Sequence, residues 1–162
     1  MKEYKNFTLQ EYLNLLSQRI PVPGGGSAAA LVGGLGAALI SMVANYSLKR
    51  NQPASIEKDI KMILSKNEKI RKRLLELVDL DAQAYLKVVQ SRRGVSEAKK
   101  KAALRQARLV PAQVCRLCFQ ALELTPYLVQ HGNKYLLSDV EVAVEFLKSA
   151  FNAAKVNSEV NP

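Results

Sequence analysis

The stretch 55-SIEKDIKMILSKNEKIRKRLLELVDLDAQAYLKVVQSR-92 decides the fold. Its apolar residues fall at Ile56, Ile60, Ile63, Ile70, Leu74, Leu77, Ala84 and Val88. With positions 67 and 81 filled in, the spacing alternates four and three without a break, the pattern of a helix laid lengthwise on others. A single helix of roughly 37 residues is expected here, close to ten turns. The two interruptions of the seam are polar, Asn67 and Asp81. Polar groups on a buried seam must be paired or useful.

Outward from this helix the chain keeps the same character. No period-two alternation and no Asn-Gly or Asp-Gly hairpin turn suggests a strand. Thr8 and Glu11 form a capping box ahead of the stripe Tyr12, Leu15, Leu16 and Ile20, which should end at Pro21. A second helix is predicted from near Ser27 to about Lys49, before Asn51 and Pro53. Arg92, Arg93 and Gly94 should end the long helix, and Ser96 should cap a fourth running to about Leu124, with Pro111 inside it. TPYLVQHGNKY reads as a turn. Ser138 and Glu141 form a second capping box, opening a last helix with Val140, Val144, Leu147, Phe151 and Ala154 on one face. The expectation is an all-α helical bundle of about five main helices, one domain over residues 1–162.

Bulk composition bounds the function. Hydrophobic residues make up 48% and charged residues 23%, an ordinary globular balance. Twenty-four Lys and Arg against 14 Asp and Glu leave a formal charge of +10. That surplus favours anionic partners. The basic runs 58-KDIKMILSKNEKIRKR-73 and 99-KKKAALRQAR-108 lack interleaved aromatics, so nucleic acid is not the expected partner. The N-terminus has no secretory pattern, and the two cysteines suit a reducing cytoplasm. CRLC at 115–118 has no second ligand pair, since His131 is the only histidine. It reads as two small apolar core residues, and no metal is expected.

The segment 21-PVPGGGSAAALVGGLGAALISMVA-44 raises three alternatives. It lacks the Lys-Ser/Thr of a P-loop, and no strand precedes it as in a dinucleotide fingerprint. The absence of charge from Pro21 to Leu48 permits a membrane span, but so many small residues suit the centre of a bundle. The row Gly26, Ala30, Gly34, Ala38 should let a neighbouring backbone come close. Glycines at a helix start also expose backbone N–H groups to an anion, although a tight turn with no ligand remains an equal reading. Asp81 is similarly open. A carboxylate on an apolar seam has its pKa raised and suits acid or base work, or it makes a structural contact between helices. Asp139, in a first helical turn, has a bland explanation in the helix dipole.

These pieces together resemble a known family. PVPGGGSAAALVGGLGAALISMVA, DAQAY at 81–85, Pro111, GNKYLLSD at 132–139 and NSEVN at 157–161 resemble, in order, the motifs of the formimidoyltetrahydrofolate cyclodeaminase / methenyltetrahydrofolate cyclohydrolase family. Where the family carries a Pro-Lys pair, this chain has Arg92-Arg93-Gly94. The resemblance implies an all-α homo-oligomer, expected as a dimer, with a folate site between subunits. It implies that Gly24, Gly25, Gly26 and Ser27 help form that site, with Asn133 as a polar contact and Asp81 and Asp139 as acid/base candidates. The ligand would be a tetrahydrofolate derivative, polyglutamylated forms included, with no cofactor beyond that substrate. Without an attached formimidoyltransferase domain, cyclohydrolase chemistry is expected slightly ahead of cyclodeaminase. A non-catalytic helical homo-oligomer binding an anionic ligand is the alternative.

Overall fold

The computed structural model describes residues 3–91 and 96–160. Among them are six α-helices, two 3-10 turns and no strand. The helices are α1 (Leu9–Leu16), α2 (Gly25–Ser47), α3 (Ala54–Ser91), α4 (Glu97–Leu122), α5 (Thr125–His131) and α6 (Leu137–Val160), with 3-10 turns at Tyr4–Asn6 and Lys134–Leu136. Helix α2 packs mainly on α3 and α6, and α4 closes the square by packing on the same two. Short connections make neighbours antiparallel, so the start of α2 shares one end of the bundle with the end of α3.

The long seam behaves as its spacing dictates. Ile60, Leu74 and Leu77 are fully buried, and Ile63, Ile70, Ala84 and Val88 nearly so. Each of the Ile, Leu and Val side chains contributes roughly 1.5–3 kcal/mol on burial. The Asn67 exception is a structural contact. Its Nδ2 donates to the Ala37 carbonyl at 2.6 Å and to Ser41 Oγ at 2.8 Å, while Ser41 donates to Glu68.

Helix α2 is long and apolar enough to cross a membrane, yet 56% of its most apolar window is buried inside the bundle. Its close approaches do not follow the expected row. Ala30 is buried and Gly26 meets Asp81, but Gly26 and Gly34 are both only half-buried and Ala38 is exposed. An i, i+4 row drifts around a helix of 3.6 residues per turn, so it leaves the core after two turns. The tight seam is instead Ala29, Gly33, Gly36, Ile40, Val43 and Ser47, alternating four and three. A Cβ at Gly33 would lie 3.0 Å from Cys118 Sγ, and one at Gly36 would lie 2.8 Å from Leu147 Cγ.

Several boundaries move. The Thr8 capping box forms, but α1 stops at Leu16 and Ile20 is left exposed beyond it. Helix α2 begins two residues before Ser27, with Gly24 at the N-cap, a position where glycine is tolerated. Ser96 stands at the N-cap of α4 without a side-chain bond, and α4 continues through a buried Pro111 to Leu122. TPYLVQH is a helix rather than a turn: Pro126 fits its first turn and the fully buried Leu128 draws it onto the core. Helix α6 starts at Leu137, so Ser138 lies inside it and not at a cap. Its buried stripe is Val140, Ala143, Leu147, Ala150 and Ala154, with Val144 and Phe151 half-buried at the flanks. The expected loop Arg92-Arg93-Gly94 lies outside the described residues.

Both cysteines are free. Cys118 is fully buried, which pushes its thiol up to about 12, and Cys115 donates to the Phe151 carbonyl at 3.5 Å.

Candidate functional site

At the end of the bundle where α2 begins, a cavity of about 320 Å³ opens between four helices. Pro21 and Val22 lead into Gly24, Gly25 and Gly26 on one wall, and Asp81, Tyr85 and Val88 of α3 form another. Leu104 and Ala107 of α4 and Asn157 of α6 complete it. The peptide between Val22 and Pro23 is cis. Larger hollows of about 550 and 540 Å³ lie in the outer groove between α3 and α4. Their charged groups, such as Lys66 and Lys69, sit at the surface. The glycine-walled cavity is the one that combines a half-buried acid with backbone donors.

Gly24 is the N-cap of α2, extended at φ −134° and ψ −164°, and its carbonyl accepts from Ala28 N at 3.0 Å. The N–H groups of Gly25, Gly26 and Ser27 are therefore the first of α2, which have no carbonyl partner within the helix. The Ser27 N–H faces the Asp81 carboxylate and favours its ionised form. This contact explains Gly26, where a Cβ would overlap Asp81 Oδ1. Gly25 is different. A Cβ there would rest against Asn157 Oδ1 at an ordinary 3.7 Å, at the cavity wall.

Burial raises the Asp81 pKa above its usual value, and the Ser27 N–H pulls partly the other way. A carboxyl that gains a proton this readily, beside uncommitted helix donors, is equipped for acid or base transfer on a bound polar ligand. Ala107, which also lines the cavity, has a carbonyl for which Pro111 supplies no helical N–H.

Ser27 is fully buried, with its Oγ 2.9 Å from the Tyr12 hydroxyl, so its backbone and not its hydroxyl faces Asp81. Asn133 and Asp139 lie at the other end of the bundle. The Asn133 N–H donates to Ser47 Oγ at 2.8 Å, and its Oδ1 accepts from Tyr135 N at 3.1 Å. Asp139 is half-buried in the first turn of α6. The length of α2 separates the two groups by roughly 33 Å within one chain.

Three residues escaped the sequence reading. Asn157 had been seen only as part of a motif, because four helices must assemble before it meets Gly25. Asp79 is 5% exposed and accepts from Tyr4 N at 2.6 Å, but it lies off the four-three seam and left no signal. Tyr12 read as one more apolar residue, although a buried phenol needs a partner.

The family model for formiminotransferase-cyclodeaminase matches residues 8–162. A methenyltetrahydrofolate cyclohydrolase of Methylorubrum extorquens is 33% identical, covering 96% of this chain and 79% of its own length. The formimidoyltransferase-cyclodeaminase of Mus musculus is 30% identical over 95% of this chain, which spans only 30% of that longer protein. The crystal structure of a formiminotetrahydrofolate cyclodeaminase from Thermotoga maritima superimposes with a TM-score of 0.92 at 31% identity, covering 98% of this chain and 80% of that one.

Proposed function

Because this chain belongs to the formiminotransferase-cyclodeaminase family of folate one-carbon enzymes, we propose that it is a methenyltetrahydrofolate cyclohydrolase. The observation that carries this reading is the half-buried Asp81, its pKa raised, facing the open start of α2 across a cavity whose lining holds no other carboxylate among the described residues. Water adds to the methenyl carbon that bridges two folate nitrogens. Asp81, as carboxylate, takes a proton from that water. As the carbon–N5 bond of the tetrahedral adduct breaks, Asp81 returns the proton to N5 and the remaining hydroxyl releases its proton to solvent. The product is 10-formyltetrahydrofolate. Positioning and proton transfer suffice, and no cofactor beyond the folate is required.

Cyclodeaminase chemistry is the second reading, supported by the likeness to the Thermotoga maritima protein. It uses the same tetrahedral carbon, with ammonia leaving instead of a ring nitrogen. A non-catalytic ligand binder has less support, since the similar proteins over nearly the whole chain are enzymes.

The working form is a homo-oligomer, at minimum a dimer, with its site shared between copies. Leu35 and Tyr46 of α2 and Val142 and Phe146 of α6 are exposed apolar residues on two helices in contact. A second copy lying antiparallel on this face would bring its Asn133 and Asp139 to the glycine turn of the first. The net charge of +10 suits the carboxylates of a folate tail, and two free thiols suit a reducing cytoplasm.

The test is turnover. Purified protein supplied with 5,10-methenyltetrahydrofolate should speed the loss of its near-ultraviolet absorbance. No acceleration, together with no ammonia release from 5-formimidoyltetrahydrofolate, would overturn the enzymatic reading.

A further inference from the structure

We propose that Tyr12 is a positioning residue for Asp81, acting through Ser27 as part of a two-tyrosine brace that fixes the glycine turn; this rests on Asp81 being the proton-transfer group. Three consecutive glycines have no side chains to hold their own geometry, and they carry the largest backbone freedom of any residue. Something outside the run must set it. Tyr4 holds the near side, its hydroxyl donating to the Val22 carbonyl at 3.4 Å. Tyr12 holds the far side, bonded at 2.9 Å to Ser27, the first residue after the glycines with a side chain. The two rings meet edge to face, with centroids 6.5 Å apart.

The brace is tied to α3 at two points. Asp79 accepts the backbone N–H of Tyr4 at 2.6 Å. Two residues on, Asp81 lies directly against Gly26 and faces the N–H of Ser27. Tyr12 is 4% exposed and Ser27 fully buried, so no water competes for their bond. Neither hydroxyl lines the cavity. Tyr12 thus governs where the Ser27 N–H points without touching a ligand.

Few other charges bear on Asp81. Among the described residues lining the cavity, Tyr85 on α3 is its only other ionisable group, while α2, α4 and α6 contribute glycines, Leu104, Ala107 and the neutral Asn157. Asp81 and, more weakly, Asp79 also act electrostatically on the Tyr12 phenol. Loosening the Ser27 N–H therefore removes the one contact that favours the Asp81 carboxylate, and its pKa must rise further.

The experiment is a carbon-detected NMR titration of the Asp81 carboxyl in wild type, Tyr12→Phe, Ser27→Ala and the double variant. Both single variants should raise the Asp81 midpoint by about half to one pH unit, the value of one hydrogen bond. The double variant should add nothing, because both remove the same bond. In the pH profile of kcat/KM the acid limb should move up by the same amount, with kcat lowered and KM little changed. An unchanged Asp81 midpoint in either folded single variant overturns the proposal. If wild type has no turnover, the proposed activity fails, and the titration still decides whether Tyr12 controls Asp81.

Discussion

Replacing Asp81 by asparagine keeps the shape of the side chain and an oxygen to accept the Ser27 N–H, while removing the proton it carries. Positioned acid/base groups contribute about 10²–10⁴-fold to rate, so kcat should fall by that factor, about 2.7–5.4 kcal/mol in barrier. Stability should move the opposite way. The folded-state pKa lies above the unfolded value because burial disfavours the charge. Between those two pKa values the native state binds more protons than the unfolded state, so wild-type stability falls as pH rises through that window. The ionised form carries a penalty at neutral pH that Asp81→Asn does not. Thermal denaturation at pH 7.5 should thus show Asp81→Asn melting above wild type, with the gap closing below the unfolded pKa. Stopped-flow absorbance with methenyltetrahydrofolate gives the rate. A variant that melts lower than wild type at pH 7.5 and keeps its turnover would refute the reasoning, and Asp81 would then be a structural contact between helices.

Three further outcomes are expected. Gly25→Leu should abolish folate binding by calorimetry with little change in melting temperature, since the new side chain grows into the cavity, whereas Gly26→Ala should also lower the melting temperature because its Cβ overlaps Asp81. Gly36→Ala should be destabilising by chemical denaturation: the steric cost of about 1–3 kcal/mol exceeds a helix-propensity gain of about 1 kcal/mol, as the backbone carbonyl of Ala143 at 3.1 Å resists moving. Mixed and re-equilibrated, inactive Asp81→Asn and inactive Asn133→Ala should recover about a quarter of wild-type activity, since half the dimers are mixed and one of their two sites is intact; no recovery would place both residues in one copy's site or outside it.

The long helix was legible because its seam is periodic over ten turns, and the capping box at Thr8 because its partners are three residues apart. Both are local. The short helix at Thr125–His131 was missed for the opposite reason: its stability comes from Leu128 entering a core built by distant segments. The two polar interruptions of the α3 seam look alike in the sequence. Asn67 meets the middle of α2, where Ala37 and Ser41 offer partners, while Asp81 meets the start of α2, where the partners are unpaired helix donors and space. Only the register of α2 against α3 distinguishes them. The pairing of Tyr12 with Ser27 depends on how the chain returns after the glycine run, which no spacing encodes. Asn133 and Asp139 carried a motif but no geometry, and their place at the far end of α2 emerges only once the helices are assembled.

The most direct test of the account is a crystal structure of the protein soaked with a stable tetrahydrofolate derivative. The account predicts density between the Gly24–Gly26 turn and Asp81, with the one-carbon unit about 3–3.5 Å from the carboxylate and residues 133–139 of a second copy closing the site. Folate bound in the outer groove between α3 and α4, with the glycine-walled cavity empty, would contradict it.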